Sequence, residues 1–299
     1  MNLLFLGTPD FAVPTLERIA ALHHVAAVFT QPDKPKGRGH ETSAPPVKIA
    51  AGRLSIPVYQ PERIRRPEVV EQLRALAPDA MIVVGYGQII PQSILDIPPL
   101  GIINVHASLL PKYRGAAPIQ WAIARGETTT GVTTMRIDAG LDTGDMLLKS
   151  EIEIGAEETA VELSARLAVI GADLLARTLD QLPAIRPEKQ DNSKATYAPV
   201  LKKEDGKIDW SMSAAEIANR VRGFQPWPGC YAIFRGKRLA IWKAHAVAGC
   251  SHRGEIAGAR VGCGDGLLEL EEVQPEGKKR MSAAAFLNGH HVRPGEVLE

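Results

Sequence analysis

Apolar residues fall in two rhythms along this chain. Leu3–Leu6, Val25–Phe29 and Ala80–Val84 are short, continuously apolar runs, the pattern of parallel strands covered on both faces. Ile102–His106, Gly131–Ile137 and Met146–Ile152 continue the series. Between these runs, apolar spacing of three and four predicts helices over Pro45–Arg53, Pro67–Leu76, Pro118–Arg125 and Glu157–Leu182. A further helix is predicted from Gly7-Thr8-Pro9-Asp10 to about Leu22, with Thr8 as its cap and Pro9 in its first turn. Strands alternating with helices imply βαβ units, hence an α/β domain with a doubly wound, mostly parallel, Rossmann-like sheet.

The rhythm then changes. Pro183–Tyr197 is rich in Pro, Lys, Asp, Asn and Ser and has no period, so it reads as a linker. Ser213–Arg222 has a short helical pattern, and Tyr231–Phe234, Leu239–Ala244, Gly254–Ile256 and Leu267–Val273 read as short strands. Gly236-Lys237 and Asp265-Gly266 supply turns between them. Short strands and glycine turns predict a small C-terminal OB-like β-barrel. The expected organisation is a catalytic domain over 1–188, a linker over 189–206 and a barrel domain over 207–299.

Composition narrows the function classes. The 299 residues suffice for two ordinary domains with full cores. Net charge is +1, which argues against wholesale coating of nucleic acid and leaves room for a local basic patch. Three scattered cysteines, Cys230, Cys250 and Cys263, make no disulfide framework and suit a reducing compartment. The first residues lack the pattern of a secretory leader, and no apolar run approaches the ~20 residues of a membrane span. A cytoplasmic protein without membrane attachment is expected. Gly85-x-Gly87 has no third glycine for a dinucleotide fingerprint. Cys250, His252 and Cys263 fit no common zinc spacing, so no metal is expected.

The chemistry concentrates in two places. In the strand Ile102–His106, Asn104 and His106 project to one face. The strand must end before Pro111, which puts both at its carboxyl end, where open α/β sheets bind ligands. Alone, an Asn-x-His reads more simply as a capping amide and a satisfied ring. The second place is Asp138-Ala-Gly140-Leu-Asp142-Thr-Gly144-Asp145, where two glycines bracket an acid. Alone, that is an ordinary turn. Together, Asn104, His106 and Asp142 provide an oxyanion donor, a proton carrier and a carboxylate, the set needed for addition to a carbonyl and collapse of a tetrahedral intermediate.

Asn104-Val-His106-Ala-Ser108-Leu-Leu-Pro111, then Arg114-Gly-Ala-Ala-Pro118-Ile119 and Gly140-Leu-Asp142-Thr-Gly144-Asp145, resemble the signature of folate-dependent formyltransferases. Phe5-Leu-Gly7-Thr-Pro-Asp-Phe11, Phe29 to Gly39, Ser43 to Lys48, Ile208-Asp-Trp210, Pro226-Trp-Pro228 and Glu276 to Met281 extend the likeness over the whole chain. The resemblance implies 10-formyltetrahydrofolate as donor and the α-amine of methionine on initiator tRNA as acceptor. A nucleotide sugar as acceptor, or hydrolysis of the formylfolate, is the alternative. It implies catalysis by Asn104, His106 and Asp142, and folate held by Ser108, Leu109, Leu110 and Pro111 with Tyr86, Gly87 and Gln88. It gives Pro32–Pro46 to the tRNA acceptor end. A monomer is expected.

Lys34, Lys36 and Arg38 place three cations on a Gly- and Pro-rich loop, able to engage phosphates or to stack on bases, or else simply to be a solvated surface loop. Family members often carry two lysines after Gly-Arg-Gly, where this chain has His40-Glu41. Lys202-Lys203, Arg235, Lys237-Arg238, Lys243 and Lys278-Lys279-Arg280, with Lys189 and Lys194, are candidates for a basic path along the barrel. Trp210, Trp227 and Trp242 are expected in its core and interface.

Overall fold

Leu3, Leu4, Phe5 and Leu6 are all completely buried, so successive side chains of one strand are covered on both faces of a sheet. The structure, a computed structural model, describes residues 1–36, 41–293 and 295–299. The sheet has seven strands in the order Met146–Glu153, Thr129–Arg136, Ile102–His106, Ala80–Val84, Asn2–Gly7, His24–Phe29 and Val58–Tyr59. Asn2–Gly7 pairs in parallel with His24–Phe29 and Ala80–Val84, and Ala80–Val84 with Ile102–His106. Thr129–Arg136 pairs antiparallel with Ile102–His106. The mostly parallel sheet expected from the apolar runs is therefore present. Val58–Tyr59, with two residues, is too short to leave a period in the sequence.

Helices cover both faces. Leu4, Leu6, Phe29, Met81, Val83 and Ile102 pack with Val69, Val70 and Leu73 of the helix Pro67–Ala75. On the opposite face runs the helix Ala160–Gln181. It lies so close that a Cβ built on Gly171 would stand 2.9 Å from Val105 Cγ1. Asn104 and His106 share the face of Ile102, away from this long helix.

Two helix starts differ from the sequence reading. Thr8 caps nothing: a 3-10 turn fills Asp10–Ala12 and the helix begins at Val13. The Thr8 hydroxyl instead donates to the Tyr86 carbonyl (3.1 Å) and accepts from the Gln31 amide (3.4 Å), tying three loops together. The long helix starts at Ala160 rather than Glu157, because Thr159 and Glu162 bond each other's backbone N–H reciprocally (2.8 and 3.4 Å).

The chain forms two compact units, each discontinuous in sequence. One comprises Met1–Gly115, Gly131–Ile152 and Ser164–Tyr197; the other comprises Ala116–Thr130, Glu153–Leu163 and Ala198–Glu299. In the second, Ala214–Gly223 is a helix whose Ser213 and Glu216 form a capping box. Antiparallel strands follow in the order Cys230–Phe234, Lys237–Val247, Leu267–Pro275, Arg260–Gly262 and Ile256–Ala257. The first hairpin turns on Arg235-Gly236, both at positive φ (49° and 74°), one residue earlier than expected and suited to a type I′ turn. Val297–Glu299 closes the sheet. Glu299 exchanges backbone bonds with Ile233 on one edge strand (2.7 and 2.9 Å), and Leu298 N–H donates to Gly254 beside the other (2.8 Å). The result is the expected small barrel.

Trp210 lies in the barrel core, but Trp227 is 54% exposed and belongs to no core. It sits between Pro226 and Pro228 in a loop that carries it out to solvent. Several cations of the expected basic path are matched by acids of the same unit: Arg235 with Glu296 (2.7 Å) and Lys243 with Glu271 (2.9 Å). Arg280 stacks on Trp242 at 3.3 Å and Arg238 on Tyr231 at 4.1 Å. Among the described residues, no helix is long and apolar enough to cross a membrane, and no cluster of three or more His, Cys, Asp or Glu is placed to hold a metal ion.

Candidate active site

The order of strands sets the position of the site. From Asn2–Gly7 the chain first adds strands on one side, His24–Phe29 and Val58–Tyr59. It then crosses back to add Ala80–Val84 and Ile102–His106 on the other. Opposite crossovers leave a crevice at the carboxyl ends of Asn2–Gly7 and Ala80–Val84, the usual ligand position in an open α/β sheet. Thr8 and the loop Gly85–Gln88 follow those two strands directly. The carboxyl end of the next strand carries Asn104 and His106.

Asn104 is 9% exposed and His106 6%. The Asn104 amide makes no hydrogen bond to any described residue, so its two donors are uncommitted. His106 Nε2 lies 2.9 Å from the Tyr113 carbonyl oxygen. A carbonyl can only accept, so Nε2 carries the proton and donates. The second ring nitrogen, Nδ1, is 3.7 Å from Asp142 Oδ2. That oxygen also accepts the Gly115 N–H at 2.8 Å. The imidazole is thus anchored at one nitrogen and faces a carboxylate with the other. The structure brings His106 and Asp142 together, as the strand and the acidic loop predict.

Two residues at this centre have left-handed backbones, Tyr113 (φ 60°) and Asp142 (φ 51°), each costing on the order of 1 kcal/mol or more in a non-glycine residue. The bracketing glycines serve close approach instead. A Cβ on Gly144 would sit 1.9 Å from the Arg136 carbonyl oxygen, and one on Gly140 1.9 Å from Thr143 Oγ1. Asp138 holds the turn from inside, accepting from the Gly140 N–H (3.0 Å) and the Thr143 hydroxyl (2.7 Å).

The remaining expected residues divide. Ser108 is fully buried, and its hydroxyl donates to the Lys112 carbonyl at 2.6 Å. Leu110 packs with Met135 and Met146 beneath the loop. Leu109 and Pro111 are half-buried. Ser108 and Leu110 therefore shape the loop from below, leaving backbone and the flanking residues toward the crevice. The Tyr86 ring is buried, its hydroxyl has no partner among the described residues, and burial pushes the phenol pKa up. Gly87 is left-handed at φ 81°. The Gln88 amide is spent on the neighbouring chain, accepting the Ile64 N–H (2.7 Å) and donating to the Pro61 carbonyl (3.1 Å). Lys34–Lys36 is a short strand paired antiparallel with Glu41–Ser43, where the sequence reads a loop. Arg38 lies outside the described residues. Lys34, with Thr8, Gln31, Pro32 and Ser43–Pro46, lines a cavity of about 230 Å³ in the same unit.

The segment Pro183–Tyr197 is no simple linker. Glu188 and Met146 exchange backbone bonds (2.8 and 2.9 Å), and Thr196 receives the Arg114 and Tyr113 amides (2.9 Å each). Gln190 is 9% exposed and touches both ends of the acidic turn, donating to the Asp142 and Gly144 carbonyls at 2.8 Å each. Its own carbonyl accepts from Arg114 Nε and Nη2 (3.0 and 2.8 Å), and Asn192 accepts from the same Nη2 (2.8 Å). Nothing in a polar, aperiodic stretch marks Gln190. Its distance of 48 residues from Asp142 puts the contact beyond any local pattern.

The formyl transferase family pattern matches residues 1–179, and that of the formyl transferase C-terminal domain matches 200–291. A methionyl-tRNA formyltransferase of Solibacter usitatus is 63% identical over the whole chain and 98% of its own length. Its counterpart in Koribacter versatilis is 57% identical over 100% of this chain and 98% of its own. Among solved structures, the sugar 3N-formyl transferase WlaRD, in the presence of dTDP and 5-N-formyl-THF, is similar in fold. It superposes with a TM-score of 0.69 at 19% identity, over 93% of this chain and 99% of that one. The methionyl-tRNA formyltransferase of Clostridium thermocellum gives a TM-score of 0.57 at 19% identity, covering 83% and 94%. With both halves of the chain matched, and with relatives this similar from end to end, the chain belongs to the formyl transferase family.

Proposed function

We propose that this enzyme transfers the formyl group of 10-formyltetrahydrofolate to the α-amine of methionine carried on initiator tRNA, the step that prepares that tRNA for translation initiation. The observation that carries the chemistry is the uncommitted Asn104 amide on the same strand end as a His106 ring anchored by Tyr113 and faced by Asp142. The acceptor follows from relatives of 57–63% identity that are methionyl-tRNA formyltransferases over their full length. The solved sugar formyltransferases, at 19% identity, share the fold alone, as does the solved methionyl-tRNA formyltransferase at the same identity, so the acceptor is read from the full-length relatives and a nucleotide sugar is the weaker reading.

The amine attacks unprotonated. As its nitrogen bonds to the formyl carbon, the carbonyl oxygen becomes an anion, and the Asn104 amide donates to it. A single donor of this kind is typically worth ~10²–10³ in rate. Collapse breaks the bond from the formyl carbon to N10. The proton lost by the amine is the one N10 gains, and His106 Nδ1 with Asp142 forms its relay. Because Nε2–H is held by the Tyr113 carbonyl, proton exchange at His106 runs through Nδ1. The folate lies along Ser108–Pro111 and Tyr86–Gln88, contacted chiefly through backbone, since Ser108, Leu110 and Gln88 have their side chains occupied. Lys34, Lys36 and Arg38 meet the tRNA acceptor end, and the 207–299 barrel, joined through 189–206 to a catalytic domain over 1–188, contacts the tRNA body.

Purified protein given 10-formyltetrahydrofolate and charged initiator tRNA is expected to yield formylmethionyl-tRNA, with free methionine a far poorer acceptor. Consumption of the formylfolate without formylation of the tRNA, or faster transfer to an amino sugar nucleotide, would overturn the reading.

A further inference from the structure

We infer that Gln190 is a positioning residue for Asp142: it fixes the acidic turn in its strained conformation and so sets the carboxylate against His106. This rests on the role proposed above for Asp142. The acid of the turn has φ 51°. Asp138 accepts from the Gly140 N–H and the Thr143 hydroxyl, and Arg136 N–H closes the base of the turn on the Asp145 carbonyl (2.9 Å). The backbone on either side of Thr143 is held by one Gln190 amide group, whose two N–H bonds reach the carbonyls of Asp142 and Gly144. The acid's own carboxylate is then free to accept Gly115 N–H and face the ring.

The chemistry of the neighbours dictates which way the Gln190 amide points. Arg114 is 2% exposed and offers only donors, two of which converge on Gln190 Oε1. The amide nitrogen must therefore face the two carbonyls, which can only accept. A guanidinium on one side and two carbonyls on the other select a neutral amide: it alone accepts at one end and donates twice at the other. Gln190→Glu has nearly the same size and would pair more strongly with Arg114. It would also set a carboxylate oxygen against two carbonyl oxygens and push the turn away. The substitution thus separates the two sides of the clamp, keeping the link to Arg114 while breaking the link to Asp142.

The test is a double-mutant cycle on steady-state kinetics with Asp142→Asn. If Gln190 acts through Asp142, Gln190→Glu lowers kcat about tenfold or more, since small misplacements of catalytic groups cost up to ~10²-fold. KM for both substrates stays within about twofold. In the Asp142→Asn background the same substitution then adds little or nothing, because its target is already removed. A Gln190→Glu enzyme with wild-type kcat, or losses that multiply in the double mutant, overturns the inference. An Asp142→Asn enzyme with wild-type kcat would show instead that the underlying assignment of Asp142 fails, and the inference with it. Should Gln190→Glu lose its cooperative melt, the near-isosteric Gln190→Met takes its place under the same criteria.

Discussion

At the residue scale, the site is defined by which polar groups are committed and which are left open. Gln88, Ser108 and Gln190 spend their side chains on protein backbone. Asn104, one-tenth exposed and flanked by apolar neighbours of the same strand, spends its amide on nothing described. Its amide atoms are not among the fully buried polar atoms without a partner, so they stay open at the strand end, where a ligand can take them up. Asn104→Ala is accordingly expected to lower kcat by ~10²–10³-fold while leaving formylfolate affinity, measured by equilibrium binding, nearly unchanged. An enzyme that turns over at the wild-type rate would remove Asn104 from the oxyanion role.

At the scale of elements, caps and turns decide where periodicity alone is vague. The helix Ala214–Gly223 begins where Ser213 bonds the Glu216 N–H (3.3 Å) and Glu216 bonds the Ser213 N–H (2.9 Å). Ser213→Ala should cost about 1 kcal/mol, read as a lower denaturant midpoint and faster amide exchange in the first turn. The Ser213 bonds, hydroxyl first and then N–H, depress the Glu216 carboxyl pKa below its usual 4.5. A depressed carboxyl stabilises the fold above its unfolded pKa and loses that contribution as pH falls through the folded value. The destabilisation by Ser213→Ala should therefore shrink in acid below about pH 4. A penalty independent of pH across that range would mean that the box is not formed.

At the scale of the whole molecule, distant segments finish what local sequence begins. The barrel is closed by Val297–Glu299, with Leu298 1% exposed in the core. Leu298→Ala should destabilise by about 2–5 kcal/mol and lower the thermal midpoint measured by circular dichroism; a change under 0.5 kcal/mol, of order a tolerated surface substitution, would deny the closure its role. Under the proposed function, the paired strand that carries Lys34, beside its cavity, meets the tRNA. Arg38→Ala and Lys34→Ala are expected to raise KM for tRNA several-fold with KM for the formylfolate unchanged. Equal effects on both substrates would contradict a tRNA role. The lost phosphate contact should also flatten the salt dependence of tRNA binding.

The sequence by itself determined the alternating strands and helices of the sheet, the small C-terminal barrel and the pairing of Asn104 with His106. Each is a local property: the run Ala80–Val84 must be covered on both faces, and a strand places every second side chain on one side. The motifs also brought Asp142 into the set. Only the tertiary structure decided the rest. It moved Thr8 from helix cap to a tie between loops, exposed Trp227, neutralised Lys243 and Arg235 with acids from other segments, and turned the aperiodic 183–197 stretch into a brace behind the acidic turn. Three of these share a reason. A hydroxyl, an ammonium, a guanidinium or an amide finds its partner across tens of residues, and a bond between segments far apart leaves no period in either.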